Sequence, residues 1–155
     1  MPQSLAMVLV HIIFSTKERV PCIVREVRPG LNAYLAGILR NLRCIPLEVN
    51  SMVDHVHIFC NLARTVAVAS LVEEFKKGSS TWIKPKGGAV MRNFHWQGGY
   101  GAFSVSPSMV PRVRRYILDQ EGHHQKVTFQ EEFRAFLERH GERHGVAYDE
   151  RYVWD

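Results

Sequence analysis

Between residues 6 and 105 the apolar residues of this chain switch repeatedly between the period of a strand and that of a helix. The order of those switches constrains the fold more than any other feature. Residues 6–14, AMVLVHIIF, form a short continuous apolar run and predict a buried first strand. The polar STKER turn follows, and Pro21 and Pro29 punctuate the approach to a helix. From Leu31 on, Tyr34, Leu35, Ile38, Leu39 and Leu42 fall at helical spacing. Arg40 and Arg43 lie near the end of that helix, where its dipole favours cations. Residues 45–52, IPLEVNSM, alternate apolar and polar and predict a second strand. A tight turn near Val53 and Asp54, lacking the strong Asn-Gly signal, leads into HVHIFCNL as a third. A second helix is expected over about 66–83, with Val68, Leu71, Val72, Phe75 and Trp82 as its apolar stripe. Residues 94–105, FHWQGGYGAFSV, are aromatic and glycine-rich and then become strand-like. The order β-α-β-β-α-β is that of split βαβ units, which form an antiparallel sheet with helices on one face. The expected class is therefore α+β, a ferredoxin-like (RRM-like) antiparallel sheet with additional C-terminal helices.

Residues 106–120, SPSMVPRVRRYILDQ, predict the first of those helices. Ser106 with Pro107 at the first position is one candidate cap; Ser108, with Pro111 in the first turn, is the other. TFQE at 128–131 fits a capping box, with Thr128 as cap and Glu131 three residues later. Phe133, Phe136 and Leu137 would form that helix's apolar face and Gly141 its end. No repeat, low-complexity tract or long linker interrupts the 155 residues, a length that suits a single domain over 1–155.

The formal charge of +5 is compatible with a polyanionic partner but does not require one. The three cysteines, Cys22, Cys44 and Cys60, have no CxxC spacing, which argues against a zinc-cysteine site. Their odd number argues against a disulfide framework and fits a cytoplasmic protein. The apolar start has no basic region before it, contains His11, and is too short to span a bilayer. No membrane partner is expected.

The chemistry is carried by residues far apart in sequence. His55 and His57 sit at alternate positions of the third strand and so share a face. Two such residues are separated by about 6.6–6.8 Å along a strand, and their imidazoles can tilt toward one ion. An isolated HxH is equally a pair of packed histidines. Tyr116 and Gln120 are spaced to share a helical face. Alone they read as a packing residue and a solvated one. Combined with two histidines, an amide oxygen can complete a metal shell, and a tyrosine one turn away can meet a substrate there. Arg112, Arg114 and Arg115 just before Tyr116 suit a polyanion or a solvated face.

HVH on a central strand followed by YILDQ on a later helix resembles the single-tyrosine (Y1) HUH transposases of the IS200/IS605 type. HIIFSTKER near the start, VEEFKKGSSTWIK in the second helix and TFQEEF near the end extend the resemblance over nearly the whole chain. It implies a metal-dependent transposase that cleaves and rejoins single-stranded DNA at hairpin-marked ends through a 5′-phosphotyrosine intermediate, without ATP. Tyr116 would be the nucleophile, and His55, His57 and Gln120 would hold a divalent metal, Mg²⁺ or Mn²⁺. Two imidazoles favour Mn²⁺ more than Mg²⁺. The resemblance also implies a homodimer with a continuous sheet, in which the tyrosine helix of several members serves the partner's site. Lys17, Arg19, Lys76, Lys77, Arg112 and Arg115 are candidate DNA phosphate contacts, or ordinary surface charge. Gly98, Gly99, Gly101 or Gly122 could supply flexibility to the tyrosine helix. His123 and His124 are read as structural or DNA-proximal rather than as ligands. Asp119 stands where an asparagine is common, and would add negative charge beside a phosphate unless it faces away. Asp54 either makes the turn or orients a histidine.

Other readings make different demands. A histidine-triad nucleotide hydrolase needs a third histidine at the position of Phe59. A non-catalytic single-stranded nucleic-acid-binding module could use exposed aromatics for stacking, but leaves Tyr116 and Gln120 without a role. A host-domesticated relative that processes repeat hairpins would carry the same catalytic residues.

Overall fold

The computed structural model describes residues 3–124 together with Glu131 and Ala135. Its strands are β1 (Leu9–Ser15), β2 (Ile45–Ser51), β3 (His55–Asn61) and β4 (Gly101–Ser104). The helices are α1 (Arg28–Asn41), α2 (Val68–Ile83), the short α3 (Gly88–Arg92), α4 (Val110–Leu118) and the short α5 (Gln120–His124). The strands form one sheet in the order β2-β3-β1-β4, with every neighbouring pair antiparallel. This is the expected β-α-β-β-α-β arrangement.

Alternation along the two central strands builds two different faces. Val10, Ile12 and Phe14 of β1 and Val56, Ile58 and Cys60 of β3 point one way. They pack against Leu31, Leu35 and Leu39 of α1 and Leu71, Val72 and Phe75 of α2. Full burial of one such aliphatic or aromatic side chain stabilises by about 1.5–3 kcal/mol. Leu9 and Phe59 point the other way and meet Ile117 of α4, with Val110, Val113 and Tyr116 packed around them. Thus α1 and α2 cover one face, and the C-terminal helix α4 covers part of the other. All of β1 is buried, which is why it reads as a continuous apolar run rather than an alternating one.

Several boundaries differ from the sequence reading. α1 starts at Arg28, before Leu31, with Pro29 in its first turn, where the missing N–H has no helical acceptor to lose. The segment expected as one helix over 106–120 is divided. Pro107–Met109 is a 3₁₀ turn with Ser106 at its N-cap, α4 follows, and Asp119 interrupts the helix before Gln120. Neither Ser106 nor Ser108 caps α4, whose N-cap is Met109, and Ser106 makes no side-chain capping bond. Its carbonyl instead accepts from Met109 N at 2.9 Å. Thr128, Phe133, Phe136, Leu137, Gly141 and the aromatic tail lie outside the described residues. Among the described residues no helix is long and apolar enough to cross a membrane. Cys22, Cys44 and Cys60 are buried free thiols.

Candidate active site

The site forms on the α4 side of the sheet, where the register of three strands brings polar residues together. Across β1 and β3, Ser15 pairs with His55 and Ile13 with His57; across β2 and β3, Asn50 pairs with His57. Both histidines are buried, and their ring centroids lie 5.1 Å apart, edge to face. Asn50 Nδ2 donates to the Ile117 carbonyl at 2.8 Å, tying α4 to the strand beside His57. The buried Ile117 side chain anchors the same turn against Leu9 and Phe59. These two contacts set the position of Tyr116. Its ring stands 5.8 Å from that of His57 and nearly perpendicular to it, and its hydroxyl oxygen is buried.

Each histidine has its Nδ1 engaged by a different kind of neighbour. Asp54 Oδ1 is 2.7 Å from His55 Nδ1, so Asp54 orients this ring besides closing the turn. His57 Nδ1 is 2.9 Å from Nε2 of His11, on the neighbouring strand. The His11 and His57 rings lie edge to edge and within 24° of coplanar, with centroids 5.1 Å apart, and His11 lies 6.3 Å from the Tyr116 ring. Burial pushes the pKa of His11 down to about 4. Burial also lowers that of His55, against the opposing hydrogen bond and charge of Asp54 and the influence of Gln120; the Arg28 charge lowers it further. Both are therefore held toward the neutral form, the form in which imidazole binds a metal.

Gln120 is fully buried at the start of α5. Its Nε2 donates to the Tyr116 carbonyl at 2.9 Å, which fixes the orientation of the amide. Its Oε1 is buried without a hydrogen bond of standard geometry, and the side chain lies close enough to His55 to raise that residue's pKa. The next residue, Glu121, pairs with Arg25 at 2.6 Å and Arg28 at 3.7 Å, fastening α5 to the start of α1. Among the described residues no three His, Cys, Asp or Glu side chains are grouped to hold an ion. A metal here would need the Gln120 amide as its third protein donor. A buried amide oxygen beside His55, an imidazole held toward its neutral form, fits that role.

The remaining candidates separate into two sets. Arg112 and Arg115 line an open depression of about 660 Å³ together with Tyr116, Leu118 and Asp119. Asp119 thus borders the same depression instead of facing away from it. Lys76 is engaged elsewhere: its Nζ donates to the carbonyls of Gln97 and Gly99, each at 2.8 Å. It lies over the Phe14 and Tyr100 rings, and burial lowers its pKa to about 8. That ammonium clamps the loop before β4, which corrects the expectation of a solvent-facing phosphate contact. The same clamp holds the Gly99 carbonyl, and Gly101 of β4 pairs with Ile13 of β1. Lys77 is exposed and pairs with Glu73 at 3.2 Å. Lys17 lines a separate cavity of about 190 Å³ with Phe94 and His95. Arg19 is half-buried with a left-handed backbone, φ 55°. The side chains of His123 and His124 lie outside the described residues.

His11 and Asn50 were not singled out for this site by sequence reasoning. The signal for His11 was one polar residue in an otherwise apolar strand. Only the pairing of β1 with β3 reveals what it touches.

A family model described as "Transposase IS200 like" matches residues 4–120, ending at Gln120. Two solved structures share the fold. One is a candidate transposase from Deinococcus radiodurans R1, with TM-score 0.58 and 22% identity over 77% of this chain and 95% of that one. The other is a REP-associated tyrosine transposase bound to a REP hairpin, with TM-score 0.57 and 15% identity over 80% of this chain and 72% of that one. No curated protein matches the chain.

Proposed function

The chain belongs to the IS200-like transposase family, and on that premise we propose that it cleaves and rejoins single-stranded DNA at hairpin-marked ends. In this reading Tyr116 is the nucleophile, and His55, His57 and Gln120 hold a divalent ion, Mg²⁺ or Mn²⁺. The observation that carries it is the convergence of Tyr116, His57 and Gln120 across β3, α4 and α5, with the tyrosine ring 5.8 Å from His57. Such an ion, when bound, polarises the phosphodiester and offsets its charge.

The chain's own groups do the rest. Tyrosine, with an ordinary pKa of about 10, is protonated at neutral pH and must lose its proton as it attacks. The Tyr116 oxygen bonds to phosphorus, the 3′ oxygen leaves and takes up a proton, and the 5′ phosphate stays on the protein. Attack by a second 3′ hydroxyl reverses the exchange and restores Tyr116. Asn50 and Ile117 hold the nucleophile's helix against the sheet during both steps. Arg112 and Arg115, on the rim of the same depression, are suited to phosphates of the incoming strand. Hairpin DNA as substrate is supported by the similarity to a transposase bound to a REP hairpin. A homodimer joined through an outer strand, β2 or β4, belongs to the same reading.

The test uses 3′-labelled single-stranded oligonucleotides bearing the imperfect hairpins that flank the gene, with Mn²⁺ or Mg²⁺. The wild type is expected to form a detergent-stable DNA–protein adduct, and Tyr116→Phe to form none. An undiminished adduct in Tyr116→Phe would exclude Tyr116 as the nucleophile.

A further inference from the structure

We propose that His11 is a positioning residue that sets the tautomer and ring orientation of His57, presenting His57 Nε2 to the ion. The inference rests on the reading of His57 as a metal ligand. A neutral imidazole carries one proton, and the partner of one nitrogen decides what the other can do. Two proton arrangements satisfy the 2.9 Å contact between His11 Nε2 and His57 Nδ1. In one, His11 donates to His57, which then carries its proton on Nε2 and cannot bind a cation there. In the other, His57 Nδ1–H donates to His11, and the His57 Nε2 lone pair is available.

The surroundings make His11 a well-fixed acceptor. It lies on central strand β1, paired with Phe59 on one side and Phe103 on the other. It is 3% exposed, so little water competes for the contact. Its ring lies edge to edge with that of His57, with 24° between the planes and centroids 5.1 Å apart, the near-coplanar geometry that an in-plane N–H···N bond requires. Asp54 makes the corresponding contact with His55, as a carboxylate. The two ligands thus have unlike supports: an acidic one at the strand end and a neutral one at its centre. Partners of this kind typically change metal affinity by roughly 10- to 100-fold when removed.

The experiment compares wild type, His11→Leu, His11→Gln and His57→Ala. Mn²⁺ affinity is measured by electron paramagnetic resonance, and histidine tautomers by ¹⁵N NMR of the metal-free proteins. Leucine removes the acceptor, whereas the glutamine amide oxygen can accept near the original Nε2 position. Expected are a roughly 10- to 100-fold weaker Mn²⁺ affinity in His11→Leu and recovery to within a few-fold in His11→Gln. The metal-free wild type and His11→Gln should show His57 protonated on Nδ1, a state lost in His11→Leu. An unchanged Mn²⁺ affinity in folded His11→Leu, with His57→Ala abolishing binding, overturns the role of His11 alone. Absence of Mn²⁺ binding in the wild type, or full binding in His57→Ala, removes the underlying ligand assignment as well. Should His11→Leu fail to fold, His57 protonated on Nε2 in the metal-free wild type still overturns the inference.

Discussion

The face of the sheet beneath α1 and α2 carries Val10, Ile12, Phe14, Val56, Ile58 and Cys60, while the face beneath α4 carries His11, His55 and His57 beside Leu9 and Phe59. Both sets come from the same two strands and differ only in the parity of their positions. On the first face, stability scales with apolar area removed from water. On the second, buried polar atoms must be matched by specific partners, or burial costs more than it returns. The first face tolerates imprecise packing as long as volume is kept. The second depends on individual contacts: Asn50 with the Ile117 carbonyl, Asp54 with His55, His11 with His57, and Gln120 with the Tyr116 carbonyl.

Ile58→Ala should break the comparison most forcefully. Ile58 adjoins His57 in sequence but points into the apolar core. Its truncation should cost about 2–5 kcal/mol of unfolding free energy, read from urea denaturation. Mn²⁺ affinity of the folded protein should stay within a few-fold of wild type. A large loss of affinity would mean the faces are not independent.

A pH series probes the other face. The folded pKa of His11 is about 4, below its ordinary value of 6.5. The folded state therefore holds fewer protons than the unfolded state between those values. Its contribution is complete above pH 6.5 and is lost as pH falls toward 4. That window is worth about 3 kcal/mol in the metal-free protein. The His55 shift has the same direction and adds to the trend. Urea midpoints measured between pH 7 and 4 should fall less steeply in His11→Gln, and equal slopes would contradict the assignment.

The smallest effect is expected at the rim. Glu121→Ala removes the pairs with Arg25 and Arg28, which are partly exposed on the Glu121 and Arg25 sides. Stability should change by only about 0.2–1 kcal/mol. Amide hydrogen exchange in α5 should nevertheless quicken, because the residue after Gln120 loses its fastening to α1. Unaltered exchange there would show that Gln120 is held by its own contacts alone.

Local periodicity was enough to read the β-α-β-β-α-β order, the shared face of His55 and His57, and the nearness of Gln120 to Tyr116. Each depends on residues a few positions apart, where backbone geometry dictates direction. The last survives even though Asp119 divides the helix, because Gln120 Nε2 still reaches the Tyr116 carbonyl. Composition likewise suggested that Lys76 carries a charge, but not that two carbonyls and two aromatic rings would enclose it.

Long-range packing decided the rest. His11 and His57 are 46 residues apart, and they meet because β1 and β3 adopt one antiparallel register. Asn50 reaches the Ile117 carbonyl across 67 residues for a similar reason: α4 docks on the face that α1 and α2 leave uncovered. A strand's period states that alternate residues share a side. It cannot state which helix will cover that side, since the choice lies in the summed burial of residues distant along the chain.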